Sequence, residues 1–247
     1  MLSEHPTTED YERIYQQIPL RTLTYSSHQF QYQLRENPYR IWMINEQIAH
    51  WAEILWDRIT DVEMSYVFAT FYYEKGIPDD PHFISPGKAG NSYDLFPHFT
   101  EPAHTTRKIM FDYYADVYYY KLFSTFDTVG HIVFQCYGLT LDENKNENVS
   151  FKTAINKLKT VNPALRRALL EIKRSSIFKK ADRTRNDTTH NHPATMVTSG
   201  ISVIKQKISL GIGEYRNSKT THEQMYDSFQ LIVDVVGALK QHIPRKD

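Results

Sequence analysis

Arginine, asparagine and histidine stand at short fixed spacing in Arg185-Asn186-Asp187-Thr188-Thr189-His190, followed by Asn191-His192-Pro193. Those residue types suit phosphate chemistry. An RNA strand can be cut by its own 2′-hydroxyl if one group takes a proton and another stabilises charge on phosphorus. Histidine is the side chain whose unperturbed pKa lies nearest neutrality, which fits the first task. Arginine offers a planar fork of donors matched to phosphate oxygens. Asparagine adds an uncharged donor or acceptor that can orient the other two. Arg185, Asn186 and His190 therefore form the candidate catalytic set.

An Arg and a His at this spacing recur by chance in a chain of this composition; an Asn straight after the Arg narrows the match. A second stretch shares that opening. Arg216-Asn217-Ser218-Lys219-Thr220-Thr221-His222 has one more intervening residue. Its histidine falls in the first turn of an expected helix, beside a Thr220-x-x-Glu223 capping box. Basic surroundings favour the first stretch. From Lys152 to Arg185, eleven Lys or Arg face only Glu171 and Asp182, although the whole chain balances 29 basic against 29 acidic residues. Charge is sorted rather than mixed, as a local polyanion site requires. Arg166, Arg167, Lys173, Arg174, Lys179, Lys180 and Arg183 are the expected RNA-binding residues. The other reading of such a stripe is a solvated helix face.

Helices must position these groups. Asn37-Pro38 reads as an N-cap followed by Pro at the first helical position. Ile41, Ile44, Ile48, Trp51, Leu55, Ile59 and Val62 then recur at helical steps, continued by Val67 and Phe71, so a long helix is expected over about 38–75. Prolines and glycines at 77–104 predict a long loop, which is either functional or wraps over a core. A second long helix is expected over about 105–138, with Ile109, Tyr113, Val117, Tyr120, Phe123, Phe126, Val129, Val133 and Cys136 on its inner face. Tyr118-Tyr119-Tyr120 cannot all face one core; they serve packing or a base-stacking platform. Ser150 can cap a short helix at 151–159. Asn162-Pro163 repeats the cap signature and opens a helix with Leu165, Leu169 and Ile172 inside. If Ser175-Ser176 does not interrupt that helix, Arg166, Lys173 and Lys180 stack seven apart, as do Arg167 and Arg174. After Pro193, β-branched residues over Met196–Tyr215 point to a short β-hairpin or extended excursion. A last helix to about 242 places Met225, Phe229, Ile232, Val236 and Leu239 on one face. The expected architecture is all-α: an up-and-down bundle in a single domain over 1–247, with an extension at 1–36 and the bundle at 38–242.

Composition sets limits. Hydrophobic content of 40% and charge of 23% suit a globular chain rather than a disordered one. A formal net charge of zero argues against indiscriminate nucleic-acid coating. One cysteine, Cys136, excludes an internal disulfide and reads as a small buried residue. His190-x-His192, with Asp187 or His222, could hold a metal, but no cysteine or paired-carboxylate pattern supports this, so no metal or cofactor is expected. No signal peptide or run of about 20 apolar residues is seen, so a cytoplasmic setting without a membrane is expected.

Arg185-Asn186-x-x-x-His190 at the end of a basic helix, in a helical chain, resembles the HEPN superfamily. The resemblance implies a helical bundle and a homodimer whose two Arg-x4–6-His motifs share one cleft. It also implies metal-independent cleavage of single-stranded RNA, as in toxin–antitoxin, antiphage or RNA-processing systems. Arg185 would then hold phosphate, Asn186 would be the polar partner, and His190 would be catalytic. An antitoxin or nucleotidyltransferase partner is a further implication. Non-cleaving members exist, so the alternative is a dimeric RNA- or nucleotide-binding module.

Overall fold

A computed structural model describes residues 4–80, 82–86, 92–95, 99–142, 144–190, 195, 199–204, 207–212 and 216–243; for 82–86, 92–95, 189–190, 199–204 and 207–212 the description is of backbone alone. Helices dominate: α1 (Thr8–Tyr15), α2 (Pro38–Glu74), α3 (Pro102–Tyr137), α4 (Phe151–Val161), α5 (Pro163–Arg174), α6 (Ser176–His190) and α7 (Ser218–His242). Two antiparallel hairpins accompany them. Strands β1 (His82–Pro86) and β2 (Ser92–Leu95) pair within the expected loop at 77–104. Strands β3 (Ser199–Ile204) and β4 (Lys207–Ile212) pair from Ser199↔Ile212 to Ile204↔Lys207, within the excursion expected after Pro193.

Local capping chemistry fixes several helix starts. Asn37 Oδ1 accepts from the Arg40 amide at 2.9 Å, Ser150 Oγ from Thr153 at 3.2 Å, and Asn162 Oδ1 from Leu165 at 2.9 Å. Each side chain satisfies an amide that the helix leaves without a partner. The Thr220–Glu223 capping box is not what starts α7. Asn217 takes that place, its Oδ1 accepting from the Thr220 amide at 2.9 Å, so the helix begins at Ser218, three residues earlier than that box implies.

The expected continuous helix from Pro163 is also corrected. Ser175 leaves helical geometry at ψ 153°, and its Oγ accepts from the Phe178 amide at 3.1 Å. It thus ends α5 and caps α6, so Lys180 does not continue the row of Arg166 and Lys173, while Arg167 and Arg174 remain seven apart within α5.

Two compact units organise the chain. One comprises Met1–Gln17, Met64–Tyr119 and Ala181–Tyr226, the other Ile18–Glu63, Tyr120–Lys180 and Asp227–Asp247. In the second unit, the Trp51 ring lies on His131 with centroids 4.0 Å apart, and Arg58 donates to the Ser124 carbonyl. Phe126, Phe151 and Phe178 cluster around the start of α4. Gly130 allows a close approach there: a Cβ would lie 2.6 Å from the Ser150 carbonyl carbon. In the first unit, Tyr118 donates to the Met225 carbonyl at 2.6 Å, joining α3 to α7, and Arg13 forks onto Glu74.

The inner faces of α2, α5 and α7 follow their apolar rows: Ile48, Leu55, Val62, Leu165, Leu169, Phe229 and Leu239 are all buried. The first half of α3 does not. Ile109, Tyr113 and Tyr120 are exposed, while Phe111, Ala115, Tyr118 and Leu122 are buried instead. Aromatic residues surround this helix, so spacing alone does not single out a face. With Tyr118 and Tyr119 both in the core, the three tyrosines form no continuous stacking platform.

Candidate functional site

The polar groups of the first unit begin with Asp79, a buried carboxylate just beyond α2. Its Oδ2 accepts from the Ser218 amide at 2.8 Å and from Ser218 Oγ at 2.7 Å. A carboxylate at the positive end of a helix is favourable, and here it anchors the start of α7. Lys108 Nζ lies 3.8 Å from the same Oδ2 and donates to Asp112 Oδ1 at 2.6 Å. One turn further along α3, Asp116 Oδ1 accepts from Thr188 Oγ1 at 3.2 Å. Burial outweighs the Lys108 ammonium and pushes the Asp112 carboxyl up to about 6. Burial also raises Asp116, against the opposing effects of Thr188 and Lys108. Lys108, Asp112 and Asp116 recur every four residues on a largely apolar helix. That was the available sequence signal for this network, and the catalytic assignment did not use it.

Helix α6 carries the first stretch. Ala181 and Thr184 are buried and Thr188 is partly buried, so this face is turned inward. Arg185 and Asn186 are half-buried beside it. The Arg185 guanidinium donates to Asp182 at 3.2 Å, one turn back. The helix remains intact through His190, whose backbone closes it; the His190 side chain and His192 lie outside the described residues. Five residues of regular helix separate the Arg185 and His190 positions by about 140° around the axis.

In the second stretch, Arg216 lies before α7 and donates to Thr184 Oγ1 at 2.5 Å. Asn217 caps the helix through Oδ1 and donates through Nδ2 to Asp80 at 2.9 Å. His222 sits between the rings of Tyr66 and Tyr73, with centroids 5.2 and 4.5 Å away, and its Nε2 is 2.9 Å from Thr70 Oγ1. Burial lowers its pKa to about 4, overcoming the opposing influence of Glu74. This histidine is a neutral packed ring near pH 7, with one nitrogen engaged. Arg216 and His222 belong to different contacts, and the structure joins Arg216 instead to the residue preceding Arg185.

The basic residues of α5 and α6 largely face solvent. Arg167, Arg174, Lys179, Lys180 and Arg183 are exposed, whereas Arg166 and Lys173 are half-buried. Burial pushes the Cys136 thiol up, which fits a packing residue. Among the described residues, no group of three His, Cys, Asp or Glu converges as metal ligands would, and no helix is long and apolar enough to cross a membrane.

A comparison with family models matches residues 51–243 to HEPN_Cthe2314-like HEPN. Comparisons with curated proteins and with solved structures gave no match. The matched region takes in most of the helical chain and both Arg-Asn stretches, and the all-α architecture agrees with it. The chain therefore belongs to the HEPN superfamily.

Proposed function

We propose that this HEPN chain is a metal-independent endoribonuclease acting on single-stranded RNA. In this reading, His190 takes the proton of a 2′-hydroxyl as its oxygen bonds to phosphorus, and the bond from phosphorus to the 5′ oxygen breaks. Products are a 2′,3′-cyclic phosphate and a 5′-hydroxyl, the leaving oxygen having gained a proton. Arg185 stabilises charge on the phosphoryl oxygens and Asn186 orients the strand. The observation that carries the reading is Arg185 itself: held by Asp182 yet half-exposed, on a helix anchored through Thr188 to Asp116, in a family-matched region. The positions of Arg185 and His190 lie on different sides of α6, so the reading places the cleft between two copies of the chain, one giving arginine and the other histidine. The proposed setting is cytoplasmic, within a defence or toxin–antitoxin system.

The test is cleavage of a single-stranded RNA in excess EDTA. Wild type cuts, while Arg185→Ala and His190→Ala are each inactive. Mixing the two inactive chains restores about a quarter of the activity if half of the dimers are mixed and each carries one intact composite site. Full activity of His190→Ala would remove that residue from the reaction.

The same helical separation favours a second reading, a non-catalytic RNA-binding module. Retention of RNA without cleavage, weakening as salt rises, would select it.

A further inference from the structure

Arg216 poses a question that neither helix packing nor the proposed chemistry of Arg185 and His190 answers. Its guanidinium is half-buried, and its one hydrogen bond among the described residues goes to the uncharged hydroxyl of Thr184. It is paired with no carboxylate among those residues, whereas Arg185 has Asp182, Arg13 has Glu74 and Lys108 has Asp112. Asp79 and Asp80, the acids nearest in the chain of contacts, are committed to Ser218 and Asn217. A guanidinium carries five N–H donors in a rigid fork, so most of this one's donor capacity is unassigned. Thr184 is only 5% exposed and therefore holds its hydroxyl in a fixed place. It pins Arg216 against α6 at the residue directly before Arg185.

As sequence, the two Arg-Asn stretches compete for one role. In space Arg216 reaches the hydroxyl of Thr184, the residue directly before Arg185. We propose that Arg216 and Arg185 are two prongs of a single phosphodiester-binding site, with Thr184 as the positioning residue that holds the second prong. The inference rests on the RNA-handling reading above and adds a substrate-binding residue to it. Asn217 and His222 stay structural, as cap and packed ring. The ligand class is the single-stranded ribose–phosphate backbone, gripped through oxygens rather than read by base. A second fork matters because one arginine already shared with Asp182 cannot by itself fix both position and rotation of a phosphate.

The probe is a fluorescent single-stranded 2′-O-methyl oligonucleotide, which keeps the phosphates but lacks the attacking hydroxyl. Binding is thereby measured apart from cleavage. Expected results begin with Arg216→Ala, which weakens binding about tenfold, the range of a charge-assisted hydrogen bond. It also lowers the slope of log affinity against log salt by about 0.7, one phosphate contact on a single strand. Arg216→Lys restores the slope but not the full affinity, because the fork is lost. Thr184→Val weakens binding with the slope retained. Arg21→Ala, an exposed arginine outside this site, changes neither. Circular dichroism melts accompany each variant, and if Arg216→Ala fails to fold, the Arg216→Lys and Thr184→Val pair decides. Unchanged affinity and slope in the Arg216 variants overturn the proposal, as does a wild type that does not bind the probe. A wild type that binds it through Arg216 yet leaves unmodified RNA intact upholds this site and removes the ribonuclease reading alone.

Discussion

Thr188 Oγ1 donates to Asp116 Oδ1 across 3.2 Å, tying the last turn of α6 to the middle of α3. Thr188 lies between Asn186 and His190, so this bond sets the rotation of the helix segment that carries the candidate site. Thr188→Val and Asp116→Ala are each expected to cost about 1–2 kcal/mol, with less than additive loss in the double variant. Hydrogen exchange at the amides of 185–190 should accelerate in both single variants, while the amides of α4 remain protected. Unaltered exchange at 185–190 would show that the bond does not hold this turn.

His222 supplies a pH test. Its folded pKa of about 4 lies below the ordinary 6.5. The unfolded chain therefore binds a proton that the folded chain resists, and stability is lost as pH falls through that interval. Urea melts between pH 7 and pH 4 should show this slope as the difference between wild type and His222→Phe, which keeps a ring between Tyr66 and Tyr73. The same variant should retain RNA cleavage. Abolished cleavage with an intact fold would transfer the chemistry to the second Arg-Asn stretch.

Glu63 should act in the opposite sense. It is buried on α2, and desolvation raises its carboxyl from 4.5 to about 7. Here the folded chain holds the proton more tightly, so stability is lost as pH rises from about 4.5 to 7 and stays low above. Glu63→Gln should match wild type at pH 4 and exceed it at pH 8 by up to about 3 kcal/mol. Denaturant titrations at the two pH values give the answer; equal stability at pH 8 would mean that Glu63 is hydrated in solution.

Two helical glycines should respond with opposite signs to alanine. At Gly130 the new methyl would meet the Ser150–Phe151 backbone, at 2.6 Å from the Ser150 carbonyl carbon. Backbone must shift, so Gly130→Ala should destabilise by about 2 kcal/mol or more despite alanine's better helix propensity. A Cβ added at Gly237 would meet nothing within 4 Å. Gly237→Ala should stabilise by about 0.5–1 kcal/mol. Thermal melts of the two variants check both signs.

What could be read from residues alone was what neighbours in sequence decide. Asn37-Pro38, Ser150 and Asn162-Pro163 set helix starts through side chains that reach only three residues along. The inner face of α7 followed from Met225, Phe229, Ile232, Val236 and Leu239, because polar residues fill its other side. In α3, aromatic residues lie all round, and the choice between Tyr113 and Phe111 is made by partners distant in sequence. Ser175 was ambiguous for a different reason: a serine can continue a helix or cap the next one. Least visible was the arrangement around the candidate site. Asp79 reaches Ser218 across 139 residues and Arg216 reaches Thr184 across 32. No local pattern announces either, so the contact of Arg216 with the residue before Arg185 was not legible, and the two stretches looked like alternatives.

Asp79 on Ser218 and Asn217 on Thr220 have one more effect. The electropositive tip of α7 is quenched from within the chain, leaving no ring of open amides to draw in a polyanion. In the proposed function, attraction then falls to side chains such as Arg216, which Thr184 holds. Under that proposal the site would follow a pliant strand of any base order and loosen its hold as ions crowd the solution.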